Sequence, residues 1–193
     1  MAHRRVLRDG REVLLRPIRP ADRQGLLEGF ERLSPESRYR RFLAPMPTLG
    51  GAQLRYLTDV DHHDHEALLA IDPQTLDGLG VARFVRSAED REVAEVAVAV
   101  TDDWQGRGLG TALLQDLAGR AREEGIQRFS ASVLAENSAV IELIFKLGDA
   151  HVTGRHDAVV ELLMDLPPEG LSETLRQTVR AAARGELRLS GAE

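Results

Sequence analysis

Cysteine is absent from all 193 residues of the chain. Its absence excludes disulfide bonds, zinc sites built from thiolates and any mechanism that uses a cysteine nucleophile. A serine nucleophile has no support either, because the sequence contains no Gly-x-Ser-x-Gly motif. If the protein is a transferase, the simplest mechanism is therefore direct attack of one substrate on the other, without a covalent enzyme intermediate.

Long apolar runs are also missing. Hydrophobic residues make up 42% of the chain, but no stretch is long enough for a transmembrane helix or for the apolar part of a signal peptide. We therefore expect a cytoplasmic protein with no membrane contact. The formal net charge of −6 argues against nucleic-acid binding and suits a cationic partner better. Lysine is nearly absent as well, since Lys146 is the only one and the other basic residues are arginines.

The most informative segment is glycine-rich: residues 105–110 read Gln-Gly-Arg-Gly-Leu-Gly. Before it, residues 93–100 are short, apolar and rich in valine, which is typical of a strand buried on both faces. After it, Leu109, Leu113 and Leu117 recur with the spacing of a core-facing helix. Glycines at a strand-to-helix turn let the backbone approach a ligand closely, and the free N–H groups of the helix start favour an anion, most naturally a phosphate.

Two familiar phosphate loops fit this segment poorly. A Walker loop would need Gly-Lys-Ser/Thr, and a dinucleotide loop would need its last two glycines three apart, whereas Gly108 and Gly110 are two apart. The segment instead resembles the pyrophosphate loop of the GNAT superfamily of acyl-CoA N-acyltransferases, Gln/Arg-x-x-Gly-x-Gly/Ala. A simple tight turn is the alternative, but the order of strand, loop and helix argues against it.

This resemblance implies an α/β fold with a central mixed sheet flanked by helices, acetyl-CoA as cosubstrate and no metal. It further implies that backbone groups of the strand before the loop hydrogen-bond the pantetheine arm, as an added strand would. The residues that it assigns to coenzyme binding are Val98, Ala99, Val100, Gln105, Gly106, Arg107, Gly108, Leu109, Gly110, Thr111 and Asn137.

Asn137 begins a later predicted helix at the position where the family has an asparagine that contacts pantetheine. An ordinary helix N-cap explains it equally well, and the two roles are compatible. The family commonly places a tyrosine, acting as general acid, where this chain has Ile144. Because isoleucine cannot donate a proton, another residue or water must protonate the leaving thiolate.

Glu95 is the candidate general base. It is the only charged residue of strand 93–100, and a carboxylate buried there must be either paired or functional. The resemblance adds that a glutamate in Ala-Glu-Val-Ala is the base in bacterial protein lysine acetyltransferases. The alternative is an ion pair with an arginine across the sheet.

The N-terminal segments 16–22, 34–42 and 61–70 resemble the GNAT domain of bacterial lysine acetyltransferases that modify acyl-CoA synthetases. The polar run Asp61–Glu66 invites a metal hypothesis, but its spacing matches no zinc site, so we expect a solvated loop. Orientation of the acceptor amine by one of its residues is a further hypothesis.

The predicted organisation is a flexible N-terminus at 1–10, a GNAT domain at 11–166, and a C-terminal amphipathic helix and tail at 167–193. That helix would pack on the domain or on a second copy in a homodimer. Strands are predicted at 13–19, 67–71, 79–85, 93–100, 128–133, 151–153 and 159–166, and helices after Pro20 and near 35–42, 53–58, 109–121 and 140–148.

The predicted function is transfer of an acetyl group from acetyl-CoA to an amine, most simply a protein lysine. A small amine is the alternative acceptor. A further alternative is that the protein is not an enzyme but a sensor that binds CoA.

Overall fold

A computed structural model describes residues 2–167 of the chain. One sheet contains eight strands in the order β1-β2-β3-β4-β5-β6-β8-β7. The strands are β1 (His3–Val6), β2 (Glu12–Pro17), β3 (His65–Ile71), β4 (Gly78–Arg86), β5 (Val93–Val100), β6 (Arg128–Leu134), β7 (Asp149–His156) and β8 (Val159–Asp165). The helices are α1 (Arg23–Glu31), α2 (Pro35–Phe42), α3 (Gly51–Thr58), α4 (Leu109–Glu123) and α5 (Ser138–Leu147). The predicted mixed α/β sheet is confirmed.

Helix boundaries follow local signals. Ser34 caps α2, where its side chain accepts a hydrogen bond from the Ser37 amide and Pro35 occupies the first turn. The helix ends at Leu43, which has a left-handed backbone with φ of 54°. Asn137 caps α5 by accepting a hydrogen bond from the Val140 amide at 3.4 Å.

The sheet separates two hydrophobic clusters. On one face, α4 packs through Leu113 and Leu117 against residues such as Val96. On the other face, α1 and α3 cover a smaller cluster that includes Ala67 of β3. Successive residues of β5 alternate between these two faces.

β5 and β6 are the parallel neighbours in the sheet, and they pair over only three positions, Val93 with Arg128, Ala94 with Phe129 and Glu95 with Ser130. Beyond Glu95 the two strands diverge. β5 stays paired with β4 up to Val100, and β6 stays paired with β8 up to Leu134. The divergence opens a gap in the middle of the sheet.

The prediction that strand 93–100 is buried on both faces is wrong. Residues 97–100 are only partly buried, because β6 does not pair with β5 beyond Glu95. Glu95 is exposed although it pairs with a strand on each side. Within the segment 1–10, for which flexibility stays a prediction, β1 pairs with β2. The predicted helix within 167–193 lies outside the described residues. Within residues 2–167, no helix has the length and apolar character needed to cross a membrane.

Candidate active site

The gap between β5 and β6 is a cleft with a volume of about 440 Å³. Its walls are residues 96–100 of β5, residues 131–133 of β6, the loop before α4 and the first residues of α4 and α5. Because β5 bonds β4 along its other edge, the backbone N–H and C=O groups that face the cleft are available to an extended ligand. The cleft can therefore take a long, narrow molecule with amide groups.

The loop 105–110 forms one end of this cleft. Gly106 and Gly108 have φ of 73° and 89°, in the left-handed region that favours glycine, and Gly108 caps α4. The first amides of α4 have no carbonyl of their own helix as a partner, and the helix dipole places positive charge there. Gly110 serves packing instead, since a Cβ there would lie 3.4 Å from Leu143 Cδ2. This geometry gives the loop an anion-binding helix start.

The cleft is lined by ten of the eleven residues that the sequence assigned to coenzyme binding, with Arg107 as the exception. The ten are Val98, Ala99, Val100, Gln105, Gly106, Gly108, Leu109, Gly110, Thr111 and Asn137. Their location agrees with the assignment, and their contact with a coenzyme stays a prediction.

Arg107 does not line the cleft. Its Nε donates to the Asp103 carbonyl at 3.1 Å, its Nη1 pairs with Asp9 at 3.1 Å, and the guanidinium lies 5.8 Å from the centre of the Trp104 ring. The side chain therefore braces the loop rather than adding a cation to the site.

The cations that line the cleft are Arg8, Arg40, Arg41 and Lys146. Arg8 precedes β2 and lies against Gly108, where its Cγ would be 3.4 Å from an added Cβ. Sequence reasoning missed Arg8 because it is a hundred residues from the loop. Arg40 and Arg41 of α2 belong to the segment 34–42, which resembles the family. That resemblance was the sequence feature from which their place near the cleft could have been predicted.

Gln105 holds the loop to the strand before it. Its Nε2 donates to the Val100 carbonyl at 3.1 Å and lies within hydrogen-bond distance of Asp102 Oδ1 and Ser37 Oγ. Asp102 in turn accepts from the Ser37 hydroxyl at 2.7 Å. This network ties α2 to the loop across the mouth of the cleft.

Ile144 lines the cleft and is buried, with 3% of its surface exposed. Neither of the two tyrosines of the chain, Tyr39 and Tyr56, is part of the lining. The site thus holds no phenol to act as the general acid that the family commonly uses.

Glu95 lies at the point where β5 and β6 part, one residue before Val96, which lines the cleft. Its side chain is exposed rather than buried. In the described residues it forms no ion pair, so the predicted alternative of a cross-sheet pair with an arginine is not observed. Arg41 is close enough for attraction, and burial lowers the pKa of Arg41 while Glu95 and Tyr56 act to raise it.

The run Asp61–Glu66 builds a loop. Asp61 Oδ1 accepts the amides of His63, Asp64 and His65 at 2.8, 2.9 and 2.8 Å. Glu66, with 1% of its surface exposed, lies 2.8 Å from His62 Nδ1 and 3.3 Å from Arg120 Nε. Across residues 2–167, no three His, Asp or Glu side chains are arranged to hold a metal ion.

His65 lies level with Glu95 across β4. Cross-strand pairing places His65 opposite Val85, and Val85 opposite Glu95. The His65 Nε2 accepts a hydrogen bond from Arg83 Nη1 at 2.9 Å, and its ring lies 5.1 Å from that of Tyr56. Burial and the charge of Arg83 lower the pKa of His65 to about 4, so the ring is neutral at pH 7.

The diverging parallel strands, the free strand edge and the helix start together form a site for an extended ligand with an anionic group at one end. A protein-family profile described as "Acetyltransferase (GNAT) domain" matches residues 12–149. The chain belongs to the GNAT acetyltransferase family.

Named relatives fall in the same family. The chain is 39% identical over 164 residues to "Acetyltransferase Pat" of Mycolicibacterium smegmatis, a match that covers 84% of this chain and 48% of that protein. It is 35% identical over 144 residues to "Acetyltransferase PA5475" of Pseudomonas aeruginosa, covering 74% of this chain and 77% of that one. The crystal structure of the GNAT domain of S. lividans PAT superposes with a TM-score of 0.80 at 35% identity, covering 86% of this chain and 97% of that chain. The chain thus spans about half the length of the Pat protein of M. smegmatis.

Proposed function

We propose that the protein transfers an acetyl group from acetyl-CoA to the ε-amine of a lysine on another protein. The observation that carries this proposal is the position of Glu95, a carboxylate exposed to solvent at the end of the coenzyme cleft. A side chain presented by a macromolecule can reach an exposed base, whereas a base enclosed in a pocket would select small amines. Similarity to the acetyltransferase Pat supports the same assignment.

In the proposed mechanism, the amides at the start of α4 bind the phosphates of acetyl-CoA, and the cleft edge of β5 bonds its pantetheine arm. Glu95 accepts a proton from the acceptor ammonium, directly or through a water molecule. The free amine attacks the thioester carbon and a backbone N–H of β5 stabilises the oxyanion. The C–S bond then breaks, and the nitrogen loses its second proton to water. Because Ile144 has no proton to give, the leaving thiolate takes its proton from water.

The acceptor is tested by incubating the full chain with radiolabelled acetyl-CoA and a cell lysate. We expect a labelled protein band that is absent with the Glu95→Gln variant. Label on the enzyme itself is limited to Lys146 and the N-terminal amine, so Lys146→Arg identifies that background. A labelled small molecule without a labelled protein would instead favour the small-amine acceptor, and coenzyme binding without any transfer would favour a sensor.

Glu95→Gln should lower turnover on a protein acceptor by about 10²-fold while leaving acetyl-CoA affinity nearly unchanged, as expected for loss of a general base. Steady-state kinetics and calorimetry measure the two quantities. Glu161→Gln is the matched control, since Glu161 is an exposed glutamate of β8 in the same sheet. Equal turnover of wild type and Glu95→Gln would exclude Glu95 as the base.

A further inference from the structure

A second, smaller cavity lies behind the coenzyme cleft, on the face of β4 and β5 that α1 and α3 cover. Its volume is about 60 Å³. Apolar side chains such as Phe30 and Leu57 form most of its wall. Arg41 and Arg83 are the charged residues of its lining within the described chain. An apolar cavity with two cations is a place where an anion lowers the free energy.

Arg83 is held in place by neutral groups. It is buried, with 5% of its surface exposed, and donates to the Leu57 carbonyl at 3.0 Å and to the neutral His65 ring. Its Nε is buried without a hydrogen-bond partner. Burial and the nearby charge of Arg41 lower the pKa of Arg83 to about 9, which still leaves it a cation at pH 7.

Arg41 has fewer contacts than Arg83. In residues 2–167 it forms neither a hydrogen bond nor an ion pair, and its guanidinium packs 4.9 Å from the centre of the Phe42 ring. Two arginines that repel each other beside a small cavity destabilise the fold unless an anion compensates them. Arg83 has only neutral hydrogen-bond partners. The carboxylate of Glu95 attracts Arg41 but forms no ion pair with it in the described residues.

The cavity adjoins the coenzyme cleft. Leu33, Arg41 and Ala99 line both spaces. Arg41 therefore borders the cleft as well as the cavity, and Arg83 lies behind it. The volume is about that of four water molecules, which suits a short aliphatic chain ending in a carboxylate.

We propose that Arg41 and Arg83 bind the terminal carboxylate of a dicarboxylic acyl group, so that the protein accepts a four-carbon donor of the succinyl-CoA class as well as acetyl-CoA. The transfer step is the same. The acceptor ammonium gives one proton to the base, its nitrogen bonds to the thioester carbon and loses a second proton to water, the C–S bond breaks, the thiolate takes a proton from water, and the distal carboxylate is unchanged. The proposal rests on the coenzyme site of the proposed function and is independent of the acceptor.

Calorimetry with the full chain tests this proposal without an acceptor, using succinyl-CoA and butyryl-CoA. Both acyl chains have four carbons, and only the first ends in a carboxylate. We expect succinyl-CoA to bind about tenfold more tightly or better, as for a charge-assisted hydrogen bond in a buried site. Equal or tighter binding of butyryl-CoA would overturn the proposal, whereas failure to label any protein lysine would leave this measurement unaffected.

The variants Arg41→Gln and Arg83→Gln should each bring the ratio of the two affinities close to one. Arg40→Gln is the matched control, because Arg40 is the adjacent cation of α2 and lines the cleft but not the smaller cavity. It should affect both donors equally. Arg83→Gln removes hydrogen bonds of the fold, so Arg41→Gln, which removes none in the described chain, is the decisive variant.

Thermal unfolding separates the binding role from a structural one. Since Arg41 forms no hydrogen bond and no ion pair in the described residues, Arg41→Gln should keep or raise the melting temperature while it loses the preference for succinyl-CoA. A preserved preference in Arg41→Gln would overturn the proposal. A second result would also overturn it: the arginines could bind a carboxylate of the acceptor rather than of the donor. In that case peptides with glutamate beside the lysine would have a lower KM than peptides with glutamine, and Arg83→Gln would lose this difference.

Discussion

Gly108 has a backbone that other residues adopt only with strain. Its φ is 89°, and an added Cβ would lie 3.4 Å from Arg8 Cγ. We expect Gly108→Val to displace Arg8, distort the start of α4 and weaken acetyl-CoA binding by at least about tenfold, which calorimetry measures.

Gly119→Val in the same helix is the control, because a Cβ at Gly119 meets no atom within 4 Å and φ there is not positive. Valine at an open helix position should leave binding unchanged and stabilise the helix slightly. Equal coenzyme affinity of the folded Gly108→Val variant and the wild type would contradict the assignment of this loop to phosphate binding.

His65 should make the protein less stable in acid. Its pKa is about 4 in the folded state and about 6.5 in the unfolded chain, so the unfolded chain takes up the proton first as the pH falls. This contribution to the free energy of unfolding is complete above pH 6.5 and is lost progressively towards pH 4.

The melting temperature of wild type and His65→Gln, measured from pH 8 to pH 4, checks this expectation. The wild type should fall by a few degrees more than the variant across that interval. Carboxylates and His63, which titrate in the same range, are present in both proteins and cancel in the difference. Parallel curves would show that protonation of His65 does not destabilise the fold.

Single residues show what the sequence could and could not predict about the site. The loop 105–110 was predictable because its glycines and its flanking strand and helix are all local signals. The exposure of Glu95 was not, because it depends on where β6 leaves β5. Arg8 and Arg83 were missed since only the fold brings them to the two cavities.

Among the elements, β1 depends on contacts that are distant in sequence. Asp116 of α4, with 10% of its side chain exposed, accepts a hydrogen bond from Arg5 Nη2 at 2.5 Å. His3 Nε2 lies 2.6 Å from the other oxygen, without the angle of a hydrogen bond. The pattern His-Arg-Arg-Val has too few apolar residues to predict this strand.

Asp116→Asn should therefore destabilise the protein by about 1 kcal/mol, since Arg5 is partly exposed, and should speed proteolysis before residue 10. Glu12→Gln is the control, because the Glu12 pair with Arg4 at 2.8 Å is exposed on both sides. It should change stability by less than about 0.5 kcal/mol. Urea unfolding and limited proteolysis measure both variants, and equal losses would mean that Asp116 does not anchor β1.

Most of the remaining helices and strands were predicted from the sequence, because their hydrophobic periodicity and their boundary residues are local features. The spacing of leucines in α4 and Pro35 after Ser34 mark their helices directly. The strand order and the short pairing of β5 with β6 were not readable from the sequence, because pairing between strands separated by a helix depends on tertiary packing.

At the scale of the molecule, the sheet has two parts, β1 to β5 and β6 to β8, joined by three residue pairs. A coenzyme in the cleft would contact both, because residues of β5 and of β6 line it. We expect acetyl-CoA at about 100 times its Kd to stabilise the fold by about 2.7 kcal/mol. Amide hydrogen exchange should slow most at 96–100 and 131–133. CoA analogues without the pantetheine arm are the control, and equal protection with them would contradict coenzyme bonding along β5.

The same short pairing fixes a pivot in the sheet. When two strands meet at one end only, a change in the angle between them displaces their far ends most and the meeting point least. Glu95 and Ser130 are the last pair before the strands part, whereas Val100 is at the far end. A change in the width of the cleft would therefore move the end at Val100 and leave Glu95 in place.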